Sequence, residues 1–278
     1  MSETATVESW SGKDRGDENF PVGSVLIRRD LRAHVHAYYA FARNADDIAD
    51  SPLLTPEDKV ARLDVMEAVL LGLADDGSPS AARLRASLAA TGVSTAHATD
   101  LLVAFRRDAI GRGYADWRDL QDYCRYSAMP VGRYVLELHG EGRTTWGPSD
   151  ALCTSLQVLN HLQDCAGDLA ELGRCYLPGN LLAHHRATIE DLHRPAATPA
   201  LRAVFDALLD RVDELNMLGR DLPRRVRGRR LRLETAMIVG LAHRLAGRLR
   251  TGDPIARRVK LTRIDAILAG LGALGFLR

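Results

Sequence analysis

Leu156-Gln-Val-Leu-Asn-His-Leu-Gln-Asp-Cys-Ala-Gly-Asp168 decides the fold class. At about 100° per residue, Gln157, Asn160, Asp164 and Asp168 fall on one helical face. Val158, Leu159 and Leu162 make the rest of that helix apolar. A polar stripe on such a helix must meet water, a cavity or a partner.

Outward from this stretch the helical period governs nearly the whole chain. Leu, Ala, Arg and Glu dominate, and period-two runs of Val and Ile are scarce. Helices are expected at roughly 28–50, 56–74, 79–91, 95–110, 116–127, 130–139, 149–170, 200–220, 230–250 and 256–275. Turn residues separate them at Ser51-Pro52, Asp76-Gly77-Ser78-Pro79, Gly140 to Pro148, Leu177-Pro178-Gly179 and Pro195 to Pro199. Ser94 and Ser149 suit N-caps. Residues 1–17 are polar and read as a flexible terminus, and 18–278 read as one all-α domain of about ten helices.

Composition narrows the function classes. The 278 residues are 46% apolar and 26% charged, with net charge +1, a balance unlike that of a dedicated nucleic-acid binder. Cys124, Cys153, Cys165 and Cys175 form no C-x-x-C pair and read as reduced thiols of a cytoplasmic protein. No secretory signal or bilayer-spanning stretch is expected. Gly270-Leu-Gly-Ala-Leu-Gly275 matches a dinucleotide fingerprint in letters only, because almost no chain follows to form its helix. The arginines of 220–232 read as a solvated face, with contact to anionic lipid as the functional alternative. The stretch Ile264 to Leu277 reads as a core helix rather than an anchor.

A second acidic stripe lies in Ala37-Tyr-Tyr-Ala-Phe-Ala-Arg-Asn-Ala-Asp-Asp-Ile-Ala-Asp50. Tyr39, Arg43, Asp46 and Asp50 share a face, with Asp47 about 80° to its side. Like charges at i and i+4 repel, and Asp is a poor helix former, so the cluster needs a cause. Two oxygen-only stripes select a hard cation, Mg²⁺ or Mn²⁺. Mg²⁺ prefers a few carboxylates plus substrate phosphates, so a phosphorylated ligand is expected. Arg43 and Arg174 are suited to its oxygens.

Asp46-Asp-Ile-Ala-Asp50 together with Asn160-x-x-x-Asp164-x-x-x-Asp168 resembles the squalene/phytoene synthase family. Tyr39 to Arg43, Gln157 and Arg174-Cys-Tyr-Leu-Pro178 match the same pattern, and the resemblance runs from about residue 18 to beyond 250. Glu18-Asn-Phe-Pro-Val22 and Tyr123 to Arg133 are most similar to the family's water-quenching branch in bacterial hopanoid biosynthesis. That branch takes presqualene diphosphate and water to hydroxysqualene and diphosphate. Asn19 and Met129-Pro130 depart from the broader family near segments that line the cavity in relatives.

The resemblance implies an isoprenoid synthase fold around a central apolar cavity, with the two acidic stripes facing each other across its mouth. It implies metal ligation by Asp46, Asp47, Asp50, Asn160, Asp164 and Asp168, and catalytic roles for the four outer aspartates with Tyr39 and Tyr126. Arg43, Gln157, Asn160, Arg174 and Tyr176 would meet the diphosphate, and either Gln157 or Asn160 could hold the attacking water. Phe20, Phe41 and Val131 would line the cavity, with Tyr134 a further aromatic. The cofactor is Mg²⁺, or Mn²⁺, without NADPH, and the partner is a prenyl diphosphate rather than nucleic acid. Peripheral membrane association and contact with neighbouring pathway enzymes are compatible with so lipophilic a substrate. Two alternatives stay open: a condensing synthase joining two prenyl diphosphates, and a non-catalytic scaffold binding prenyl lipid.

Overall fold

The computed structural model describes residues 6–8 and 27–277; Phe20 and Asn19 lie outside them. Every regular element among the described residues is helical. In chain order the α-helices are α1 (Arg32–Asp50), α2 (Pro56–Leu71), α3 (Pro79–Thr91), α4 (Ala96–Ala109), α5 (Trp117–Ser127) and α6 (Met129–Leu138). They continue as α7 (Trp146–Leu172), α8 (Gly179–His185), α9 (Pro199–Gly219), α10 (Leu222–Arg225), α11 (Arg229–Thr251) and α12 (Arg263–Leu274). The chain is all-α, as expected. None of the described helices is long and apolar enough to cross a membrane.

Turn chemistry sets the ends. Thr55 accepts the Asp58 N–H ahead of Pro56, and Ser78 accepts the Ala81 N–H ahead of Pro79. Thr198 does the same for Leu201 before Pro199. Two expected caps are corrected. Ser149 lies buried inside α7, which starts a turn earlier at Trp146. Ser94 precedes the cap of α4 at Thr95, and its hydroxyl accepts the Ala96 N–H at 3.2 Å instead.

The chain forms two compact units. The first comprises residues up to 111 together with 133–140. Its core joins Phe41, Ala45 and Ile48 of α1 to Leu63 and Met66 of α2, Leu84 of α3 and Leu102 of α4. Tyr38 stacks on Tyr134 at 3.9 Å, and their hydroxyls donate to the carbonyls of His97 and His34, each at 2.9 Å. Paired hydroxyls let two phenols be buried without an unsatisfied donor.

The second unit comprises 112–132 and 141–278, and α7 packs against α9 and α11 within it. Gly132 belongs here, and a Cβ on it would fall 2.5 Å from Ser149 Oγ and 2.6 Å from Cys153 Sγ. Only glycine allows that approach to α7. None of the four cysteines is in a disulfide, and Cys124 and Cys165 are buried. Burial pushes the Cys165 thiol up to about 12 and raises that of Cys175.

Candidate active site

The first acidic stripe ends α1. Asp46 and Asp50 are half-buried, whereas Asp47 is buried. Arg43 serves the group: its guanidinium reaches Asp46 Oδ2 at 3.1 Å and Asp47 Oδ1 at 2.6 Å. Loss of solvent and the like charge of Asp50 push the Asp46 carboxyl up to about 8, against the pull of Arg43. Asp108 of α4 and Asp47 push the same way. Tyr39 is half-buried on this helix, and Phe41 sits at the centre of the unit's core.

The second stripe lies on α7. Gln157, Asn160, Asp164 and Asp168 are all half-buried, while Val158, Leu159 and Leu162 between them are buried. Arg258 grips Asp164 with both arms, Nε to Oδ1 at 2.5 Å and a terminal nitrogen to Oδ2 at 2.8 Å. The segment carrying Arg258 is pinned by buried Gln163, whose amide donates to the Val259 carbonyl at 2.5 Å. After α7, Gly173 turns the chain in the left-handed region at φ 66°, and Arg174 and Tyr176 follow, both buried.

Behind the stripe stands an aromatic cluster. His161 stacks on Tyr176 at 3.8 Å, with Tyr123 5.9 Å from the imidazole and Tyr114 5.6 Å from the Tyr176 ring. Burial drives the His161 pKa down to about 3, so the imidazole is neutral. Gln157 Nε2 lies 3.2 Å from His161 Nε2. A neutral ring nitrogen accepts there, which makes Gln157 the donor and fixes the direction of its amide.

The structure therefore gathers Gln157, Asn160, Asp164, Asp168, Arg174 and Tyr176 around one helix, and Tyr39, Arg43, Asp46, Asp47 and Asp50 on another, in separate units. Tyr126 lies half-buried with Arg125 5.5 Å from its ring centre, and Val131 is exposed. Sequence reasoning missed Tyr114, Tyr123, His161 and Arg258. His161 could have been found from its i+4 spacing to Gln157. Arg258 could not, because its pairing spans 94 residues of chain. Among the described residues no three His, Cys, Asp or Glu side chains converge to hold a metal ion; the carboxylates of each stripe and the Asn160 amide are nevertheless the oxygen donors that a hard divalent cation takes.

Comparison with known proteins gives a consistent picture. The pattern of the squalene/phytoene synthase family matches residues 13–265. The chain is 45% identical over 271 residues to a hydroxysqualene synthase from Rhodopseudomonas palustris, covering 98% of this chain and 92% of that one. It is 40% identical over 268 residues to a hydroxysqualene synthase from Zymomonas mobilis, covering 95% and 90%. Among solved structures it is similar to a squalene synthase from Alicyclobacillus acidocaldarius, with TM-score 0.74, 34% identity and coverage of 85% and 90%. A dehydrosqualene synthase aligns with TM-score 0.77 at 21% identity, covering 94% and 92%, and speaks for the fold alone.

Proposed function

Because the chain belongs to the squalene/phytoene synthase family and is an enzyme of isoprenoid biosynthesis, we propose that it converts presqualene diphosphate and water to hydroxysqualene and diphosphate. The observation that carries this reading is the 45% identity, over nearly the whole chain, to a protein named for that product. Retention of both acidic stripes supports it against a non-catalytic scaffold.

In this reading Asp46, Asp47, Asp50, Asn160, Asp164 and Asp168 hold Mg²⁺, or Mn²⁺. When bound, the ion supplies Lewis-acid neutralisation of the departing diphosphate. Arg43 and Arg174 add fixed positive charge beside the same oxygens, which costs no reorganisation when the C–O bond breaks. Tyr39 and Tyr126, both half-buried, offer π faces to the carbocation. Gln157, its amide held by His161, presents its carbonyl oxygen to a water. That water's oxygen forms the new C–O bond, and its proton leaves to solvent as the cyclopropane opens. No hydride is needed, so NADPH has no part.

The test is the reaction in ¹⁸O-labelled water, with and without NADPH. The expected product from presqualene diphosphate is labelled hydroxysqualene, at a rate indifferent to NADPH. Unlabelled alcohol, squalene formed with NADPH, or turnover confined to two prenyl diphosphates would overturn the assignment. The last result would install the condensing alternative, which the 30% identity to a 15-cis-phytoene synthase from Paracoccus keeps as the comparison case.

A further inference from the structure

Helix α12 is amphipathic the wrong way round for a core helix. Its buried positions are Asp265, Ala269 and Ala273, a narrow seam at i, i+4, i+8. The seam lies against α11, where a Cβ on Gly240 would come within 3.1 Å of Ala269 Cβ. The large aliphatics point away. Ile264 is 66% exposed, Ile267 61%, Leu271 60% and Leu274 52%. A helix of a water-soluble protein normally hides such residues and exposes the small ones. A contiguous bare aliphatic stripe marks a surface that something covers.

What lies beside the stripe names the covering. Leu268, itself 42% exposed, also lines a cavity of about 590 Å³ between α11, α12 and the end of α9. Arg220, Arg224, His243 and Arg244 supply the cavity's polar wall, and Phe276 part of its apolar wall. The Arg220 side chain makes no ion pair among the described residues. Asp265, the carboxylate nearest Arg244 at 3.8 Å, is already held by Arg248 at 2.6 Å. Residues 220–232 hold seven arginines and one acid, Asp221. Arg229 and Arg230, which open α11, likewise make no ion pair among the described residues.

We propose that the aliphatic face of α12 docks on an anionic phospholipid bilayer, with lipid phosphate taken up among Arg220, Arg224 and Arg244. The aliphatics enter the acyl boundary while the guanidiniums meet the headgroups, the division expected of an interfacial helix. A second copy of the chain is disfavoured as the covering, because two such faces would bring like charges together. This surface is independent of the catalytic assignment.

The test uses the full chain in flotation with vesicles of phosphatidylcholine alone and of phosphatidylcholine with phosphatidylglycerol. The wild type is expected to float with the anionic vesicles only, and to be released by high salt. The double variants Ile267→Asp/Leu271→Asp and Arg220→Glu/Arg224→Glu should each bind at least about tenfold less. Turnover of detergent-dispersed substrate by the first variant should stay at the wild-type value. If a double variant fails to fold, Leu271→Asn reads the same face. Absence of wild-type flotation on anionic vesicles overturns the proposal. So does equal binding by the charge-reversed variant, or a wild-type dimer that splits in the Ile267→Asp/Leu271→Asp variant without any vesicle binding.

Discussion

Two claims meet on one carboxylate at Asp164, which Arg258 holds and which the family pattern gives to a metal ion. A guanidinium and a divalent cation cannot both take its lone pairs fully. Arg258→Ala should therefore lower the Mg²⁺ concentration that half-saturates turnover, read from a metal titration of initial rates. Asp164→Asn should cut kcat by about a hundredfold with the fold intact by circular dichroism, since removing a metal ligand costs several kcal/mol of transition-state stabilisation. Asp46 gives a pH dependence. With its carboxyl raised to about 8, it holds a proton at neutral pH when no metal is bound. A cation must displace that proton, so affinity should rise with pH up to about 8, and calorimetry at pH 7 should show proton release that fades by pH 9. The stripe residues themselves were legible, because i, i+3 and i+4 spacing is a local signal. The Gln157–His161 contact was equally local and went unread, because a histidine beside leucines looks like core packing.

Among elements, all ten helices expected from periodicity occur. The two that periodicity did not show are α8 and α10, whose seven and four residues are too short to display a repeat. The start of α12 was expected about seven residues early, because 256–262 continue its composition. The actual start is set by a capping box in which Thr262 and Asp265 satisfy each other's N–H groups. The larger surprise is orientation. Apolar content made Ile264 to Leu277 read as a core helix, whereas the seam of small residues turns its aliphatics outward. Asp265 ties this helix down. Desolvation works to raise its pKa, but the Thr262 hydroxyl and Arg248 outweigh it and bring it down to about 2. The contribution is full above the unfolded value of 3.8 and is lost as pH falls through about 2. Arg248 is 39% exposed, so solvent screening leaves roughly 1 kcal/mol. Asp265→Asn should lose about that much in urea unfolding at pH 7, and the difference from wild type should vanish near pH 2.

For the whole molecule, class and family were readable from a single chain because an all-α fold writes its period along the sequence and the two acidic motifs are local. The division into two units was not, since it depends on residues 133–140 joining helices that lie far earlier in the chain. Inorganic diphosphate with Mg²⁺ at about a hundred times Kd should add about 2.7 kcal/mol and raise Tm by about 5 °C, as read by scanning calorimetry. Asp46→Asn and Asp164→Asn should each abolish the shift. A variant that keeps it whole would remove its stripe from the ligand set.

The buried thiol of Cys165 bears on how the protein can be observed. With its pKa near 12, Cys165 holds only about one thiolate in a hundred thousand at neutral pH, and Cys175 is shifted the same way. The thiolate is the species that adds to a maleimide, so Cys165 stays dark to labelling while the chain is folded. A cysteine introduced at exposed Ala266 on α12 would then outcompete Cys165 for an environment-sensitive dye. Cys165 itself would light up only on unfolding, giving an internal gauge of how much of the sample has lost its structure.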